Sequence, residues 1–258
     1  MSKLLAVISP AKLLDDQIHH PELNCTQPIF LQEAATLVEK LKKVSAAKLS
    51  SMMDISKSLG EENKKRYANW EFPFTHHNAH PALLMFKGEV YRGLNAESFN
   101  QKQLQFANDN LRILSGLYGI VRPLDLLMPY RLMMGTPFAP SAKQKNLYAF
   151  WGSKISEALQ TDIDPKGSLV NLSSSEYFKS IDIKLLNREV IHCEFKEKKG
   201  DKYVITGTYA KLARGRFARF FIENKITKRN DLRAFDVDGY GFNVKLSVEN
   251  NLVFTRGN

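Results

Sequence analysis

Cysteine is scarce in this 258-residue chain: Cys25 and Cys193 are the only two, far apart and in no C-x-x-C. That excludes a disulfide framework and a zinc ribbon, and it fits a reducing compartment. Both thiols are expected to be buried apolar side chains. Long hydrophobic runs are missing too. Leu4 to Ile8 is too short for a signal-peptide core, and no stretch approaches the ~20 apolar residues of a membrane span. A cytoplasmic protein with no membrane partner is expected. No catalytic triad, metal motif or dinucleotide fingerprint is present, and no internal repeat or low-complexity tract stands out. His76, His77 and His80 cluster in THHNAH without a nearby acid. Pro81 argues against the helix that an i, i+4 metal pair needs, so neither a metal site nor a cofactor is expected.

What the chain has is positive charge, +10 formally at pH 7. Between Ile191 and Arg233 there are twelve Lys/Arg against five Asp/Glu. Such an excess favours polyanions, although solvated surface lysines give the same sum.

Apolar spacing predicts a short buried strand at Leu4 to Ser9, then a loop from Leu13 to Pro28. Helices follow at Leu31 to Val44, at Ala46 to Ser56 with Ser45 as N-cap, and at Glu61 to Trp70. The centre is rich in Gly and Pro, with a polar helix near Asn100 to Asn110. An amphipathic helix is predicted at Asn146 to Leu159 and a strand at Leu169 to Leu172. Glu189 to Phe195 and Tyr203 to Tyr209 read as a hairpin around Lys199-Gly200-Asp201. A helix spans Lys211 to Ile226, and strands near Tyr240 to Leu246 and Asn251 to Phe254 close the chain. Strands and helices interleave without a linker. The expected fold is α/β or α+β, one domain over 1–258, a mixed sheet with surrounding helices.

Three segments place small polar residues and a cation at the end of a short apolar strand, where open α/β sheets form their pockets. Ser9-Pro10-Ala11-Lys12 offers a hydroxyl and a mobile ammonium, or is an ordinary turn. Ser115 to Gly119, with Gly116, Tyr118 and Arg122, could cradle a phosphate on exposed amides. It is loosely similar to a helix-hairpin-helix, though its glycines are spaced Gly-x-x-Gly. In Asn171-Leu172-Ser173-Ser174-Ser175-Glu176, Ser173 and Glu176 fit a capping box, and the helix start would favour an anion near Lys179. A plain capped helix is the alternative. In the Lys211 to Ile226 helix, Ala213, Phe217, Phe220 and Phe221 form the buried stripe. Lys211 and Arg214 fall on one flank, suited to phosphate. Arg216 and Arg219 fall on the other, with Glu223 placed to pair with Arg219. Arg131 adds a cation beside Tyr130, and Phe150 and Trp151 read as core.

ISPAK (Ile8 to Lys12), FKGEVYRGL (Phe86 to Leu94), LSGLYGIVRPLDLLMPYRL (Leu114 to Leu132), LYAFWG (Leu147 to Gly152), NLSSSEYFKS (Asn171 to Ser180) and YAKLARGRFARFFIEN (Tyr209 to Asn224) resemble, in order, the hallmark blocks of the YaaA-type peroxide-stress family. The resemblance implies a compact, unusual α/β fold with a positively charged cleft and a helix-hairpin-helix-like element. It also implies DNA binding at that cleft, a peroxide-stress role, and a limiting of free iron and Fenton damage. The chain departs from the family at Leu13, Met133 and Leu212; Met133 removes an acid near Arg131.

Two readings follow. In the first the protein is a monomer binding DNA, duplex or branched, with little sequence specificity. Lys12, Gly116, Gly119, Arg122, Arg131, Lys179, Lys211 and Arg214 are then its phosphate-contacting residues. In the second it is an enzyme acting on a nucleotide, nucleobase or modified base, using Ser9, Lys12, Ser115, Tyr118, Asn171 and Ser173. Direct iron sequestration ranks behind both, for want of ligand clusters.

Overall fold

In a computed structural model, which describes residues 2–15, 17 and 22–257, the chain folds around one eight-stranded sheet. Part of the predicted Leu13 to Pro28 loop lies outside the described residues. The Ser2–Ile8 strand is central. It pairs in parallel with Leu111–Ser115 on one side (Ala6 opposite Leu111) and with Ile163–Asn171 on the other (Val7 opposite Asn171). Beyond Ile163–Asn171 lie Glu189–Lys199 and then Asn251–Arg256, both parallel. Short antiparallel strands, Gly119–Val121 and Gly241–Phe242, form the two edges, and Lys202–Val204 pairs with Glu189–Lys199. This is an α/β fold with a mostly parallel sheet.

Leu4, Leu5, Ala6, Val7 and Ile8 are all buried, as a strand covered on both faces requires. One helical group holds Gln101–Asn110 and the long Gly207–Glu223 helix, which touch through Phe106 and Phe221 at 5.8 Å. The other holds Lys154–Asp162 and Ile183–Leu186, joined where the Asp182 amide donates to Ser156 Oγ at 2.7 Å. Phe217 of the long helix meets Phe195, Phe235 and Phe254 and anchors the carboxyl-terminal half of the core.

Most predicted elements are present with shifted ends. Ser45 caps its helix by accepting from the Lys48 amide. The third helix begins earlier, at Lys57, capped by Ser56. Asn100 and Gln103 form a reciprocal capping box. The predicted Asn146–Leu159 helix is two pieces, Leu147–Trp151 and Lys154–Asp162, because Gly152 takes φ +49° between them. The second hairpin strand stops at Val204 rather than Tyr209, and the long helix starts at Gly207. Among the described residues no helix is long and apolar enough to cross a membrane.

The long helix crosses the short Glu89–Leu94 helix backbone to backbone. A Cβ on Gly215 would stand 1.9 Å from the Val90 carbonyl oxygen, and one on Gly93 2.4 Å from that of Leu212. The obstacles are backbone atoms, which cannot swing aside. Gly215→Ala is therefore expected to cost about 1–3 kcal/mol or more, read as a lower urea midpoint. Gly207→Ala, with nothing within 4 Å of the new Cβ, is expected not to lower the midpoint.

Candidate anion-binding cleft

The chain leaves the central strand toward Leu111–Ser115 but leaves its neighbour, Ile163–Asn171, in the opposite lateral direction toward Glu189–Lys199. Right-handed crossovers running in opposite directions lie on opposite faces, so a crevice opens past the carboxyl ends of these two strands. The structure has a cleft of about 560 Å³ there. Its floor begins with Ser9 and Pro10 after the first strand and Leu172 and Ser174 after the second. The two strand ends are latched together. Ser9 Oγ accepts from the Ser174 amide at 2.9 Å and lies 3.3 Å from Ser174 Oγ. Tyr91 donates its hydroxyl to the Ser9 carbonyl at 3.1 Å.

The glycine crossing supplies the walls. Glu89, Val90 and Tyr91 come from the short helix; Lys211 and Arg214, on the turn preceding Gly215, come from the long one. Arg131 and Met133 enter from the irregular segment after Tyr130, and Glu176 from the short Ser175–Phe178 helix. Glu176 Oε1 accepts from the Gly135 amide at 2.9 Å, tying that segment to the cleft.

Five cations line the cleft, Lys12, Lys87, Arg131, Lys211 and Arg214, against two acids, Glu89 and Glu176. They differ in circumstance. Lys87 is held by Asp15 and Glu97. Lys12 and Lys211 are exposed at the rim. Arg131 and Arg214 are half-buried, and the Nε of each is shielded without an acceptor. Among the described residues neither side chain donates a hydrogen bond or joins an ion pair. Burial is the largest influence on both guanidinium groups and pulls their pKa values below the ordinary arginine value. Arg66 adds to this at Arg131, while Glu62 and Tyr67 oppose it; Cys193 and Glu194 oppose it at Arg214. A half-buried cation with no protein partner is costly, and a bound anion removes that cost. Burial also raises the Tyr91 and Tyr177 hydroxyls well above the ordinary value, so both remain neutral.

Of the residues singled out from the sequence, this cleft gathers Ser9, Lys12, Arg131, Lys211 and Arg214. The others lie elsewhere. Arg122 lines a second cleft with Lys3, Asn110, Arg112 and Asp162, at the amino ends of the strands and therefore at the opposite end from the first. Lys179 is exposed at the end of the Ser175–Phe178 helix and lines neither cleft. The Ser115 to Gly119 turn is not helix-hairpin-helix-like. It closes a β-hairpin, Leu111–Ser115 against Gly119–Val121, and is wholly buried. Its amides are not open to a phosphate, because Gly116 packs on the Leu132 carbonyl and Gly119, at φ +70°, on the Trp151 ring.

Ser115 and Tyr118 are buried in the core, outside the cleft. Ser115 Oγ accepts from the Tyr118 amide and meets the Tyr130 hydroxyl at 2.6 Å. Tyr118 accepts from Trp70 Nε1 at 2.9 Å. The expected Ser173–Glu176 capping box is absent as well. Ser173 donates to Asn171 Oδ1 at 2.7 Å, Asn171 meets His192 Nδ1 at 3.1 Å, and Glu176 turns to Gly135. His76 and His80 do not share a helix; His80 is buried in a two-residue strand against Leu127. Among the described residues no group of three or more His, Cys, Asp or Glu is placed to hold a metal ion. Sequence reasoning passed over Glu89, Val90, Tyr91 and Ser174, although all four lie inside the quoted FKGEVYRGL and NLSSSEYFKS blocks.

Tyr118→Phe is expected to leave the buried Trp70 indole N–H without its acceptor and to cost about 1–3 kcal/mol in urea unfolding. Phosphate affinity at the cleft should not change. Burial raises the Cys25 thiol to about 11, with Asp125 adding to the effect, and raises Cys193 further. The thiolate is the reactive form. Both cysteines should therefore resist iodoacetamide at neutral pH in the folded protein and react in urea, as read by intact mass.

The comparisons with known proteins agree with one another. The family model described as "Peroxide stress protein YaaA" matches residues 4–246. The chain is 49% identical over 255 residues to a UPF0246 protein of Saccharophagus degradans, covering 98% of this chain and 99% of that one. It is 47% identical to a UPF0246 protein of Idiomarina loihiensis over 98% of both chains. A UPF0246 protein of Bordetella petrii is 45% identical, over 98% of this chain and 99% of its own. With a match of that extent, the chain belongs to the peroxide stress protein YaaA family.

Proposed function

We propose that this protein serves the peroxide-stress response by binding DNA at the cleft past the carboxyl ends of the two central strands, and so limits Fenton damage there. The limiting of free iron that the resemblance implies belongs to the same proposed role. The observation that carries the reading is the pair Arg131 and Arg214, half-buried, lining the cleft and without a protein partner. Lys12 and Lys211 stand at its rim and extend the positive field outward. Guanidinium forks suit phosphate oxygens, and rim lysines steer a polyanion toward them. None of this reads base identity, so little sequence preference follows.

The salt dependence tests the reading. Of the cations lining the cleft, Lys87 is already held by acids, which leaves Lys12, Arg131, Lys211 and Arg214 for phosphate. With about four phosphates neutralised, log Kobs against log salt should have a slope of about −3.6, roughly a hundredfold loss between about 50 and 200 mM. Fluorescence anisotropy with a labelled oligonucleotide measures it. A titration that stays flat with salt, or one unaltered by Lys12→Gln with Lys211→Gln, would count against DNA binding at this cleft.

A further inference from the structure

The cleft is a poor match for the side of a duplex. Its two unpartnered arginines are set back from the rim, whereas a duplex presents its phosphates on a convex surface. Glu89, paired with Arg92, and Glu176 stand among the cations, and Glu176 would repel a continuous run of phosphates. The walls between the charges are apolar: Pro10, Ala11, Val90, Leu172 and Met133. Glu176 uses Oε1 to hold the Gly135 amide, and its other carboxylate oxygen accepts nothing among the described residues. The volume of about 560 Å³ lies within the range of small-ligand sites. A recess with half-buried cations, apolar walls and one free carboxylate oxygen suits a single phosphorylated unit that also carries a flat ring and an N–H donor.

We infer that the cleft receives one nucleotide unit, at a strand end or turned out of the stack, with its phosphate between Arg131 and Arg214. The sugar and base lie along the Pro10, Val90 and Met133 wall, and Glu176 accepts from an N–H of the base. This rests on the DNA-binding reading for the source of the nucleotide, but the recognition chemistry is that of a nucleoside monophosphate in either case. Turning a base out costs a few kcal/mol in a paired duplex and least where the strand is already unpaired. Unpaired DNA should therefore bind better than a matched duplex of the same length and charge.

The test uses the full chain with three probes: a DNA bubble carrying 2-aminopurine in its unpaired stretch, the matched duplex, and adenosine 5′-monophosphate alone. The expected result is tighter binding of the bubble, a rise in 2-aminopurine emission on binding, and competition by the mononucleotide. Arg131→Gln and Arg214→Gln should each weaken the mononucleotide by about tenfold or more. Circular dichroism and urea unfolding confirm that each variant is folded, and Arg131→Lys and Arg214→Lys, which keep the charge, should recover part of the affinity. If DNA binds with the expected salt slope but 2-aminopurine stays stacked and the mononucleotide does not compete, the inference falls and the DNA reading stands. If the mononucleotide binds through both arginines and DNA does not, the inference stands with a free nucleotide as ligand and the DNA reading falls. If neither binds, both fall.

Discussion

The contact of two helices through Gly93 and Gly215 governs where everything in the cleft can be. Each glycine rests against a backbone carbonyl of the other helix, so their separation and rotation are fixed by atoms that have no rotamers to exchange. Arg214 and Lys211 lie on one side of that contact and Glu89 to Tyr91 on the other. Tyr91 passes the constraint to Ser9, and Ser9 passes it to Ser174, so the helix pair and both strand ends form one connected frame. Arg214 is held half-buried on that frame, and Arg131 faces the same cleft from the irregular segment after Tyr130.

Several of the chain's arginines are paired outside the cleft. Arg112 pairs with Asp162, Arg216 with Asp238, Arg219 with Glu223, Arg229 with Glu189 and Arg256 with Glu197. Arg112 is buried, whereas an exposed pair such as Arg216 with Asp238 contributes little to stability; all of them take their cations out of competition for a ligand. The formal excess of +10 therefore says less about binding than which cations line the cleft without a protein partner.

Local patterns were readable and long-range ones were not. The flanks of the long helix separated as its periodicity required: Arg219 reaches Glu223, while Lys211 and Arg214 face the cleft. The strand at Leu4 to Ser9, the cap at Ser45 and the helix near Asn100 to Asn110 were legible because each depends on neighbours close in sequence, whereas the Asn100–Gln103 capping box, equally local, was passed over. The Ser115 to Gly119 turn misled because its glycines suit an exposed phosphate loop and a buried hairpin equally. The apolar Leu114, Leu117, Ile120 and Val121 around them were the signal for burial. Glu176 looked like a capping residue because its true partner, Gly135, is 41 positions away. The missing partner of Arg131 or Arg214 leaves no trace in sequence at all, since it is a property of the assembled surroundings.

The central position of the first strand has a consequence for synthesis. Leu4 to Ile8 is synthesised well before both of its neighbours, residues 111–115 and 163–171. At the usual rate of about 5–20 residues per second, its second edge stays unpaired for roughly ten to thirty seconds. An apolar, β-prone segment with both edges open is a template for association with other nascent chains. The strand order thus leaves this segment unpaired for much of synthesis, before any question of what the finished protein binds.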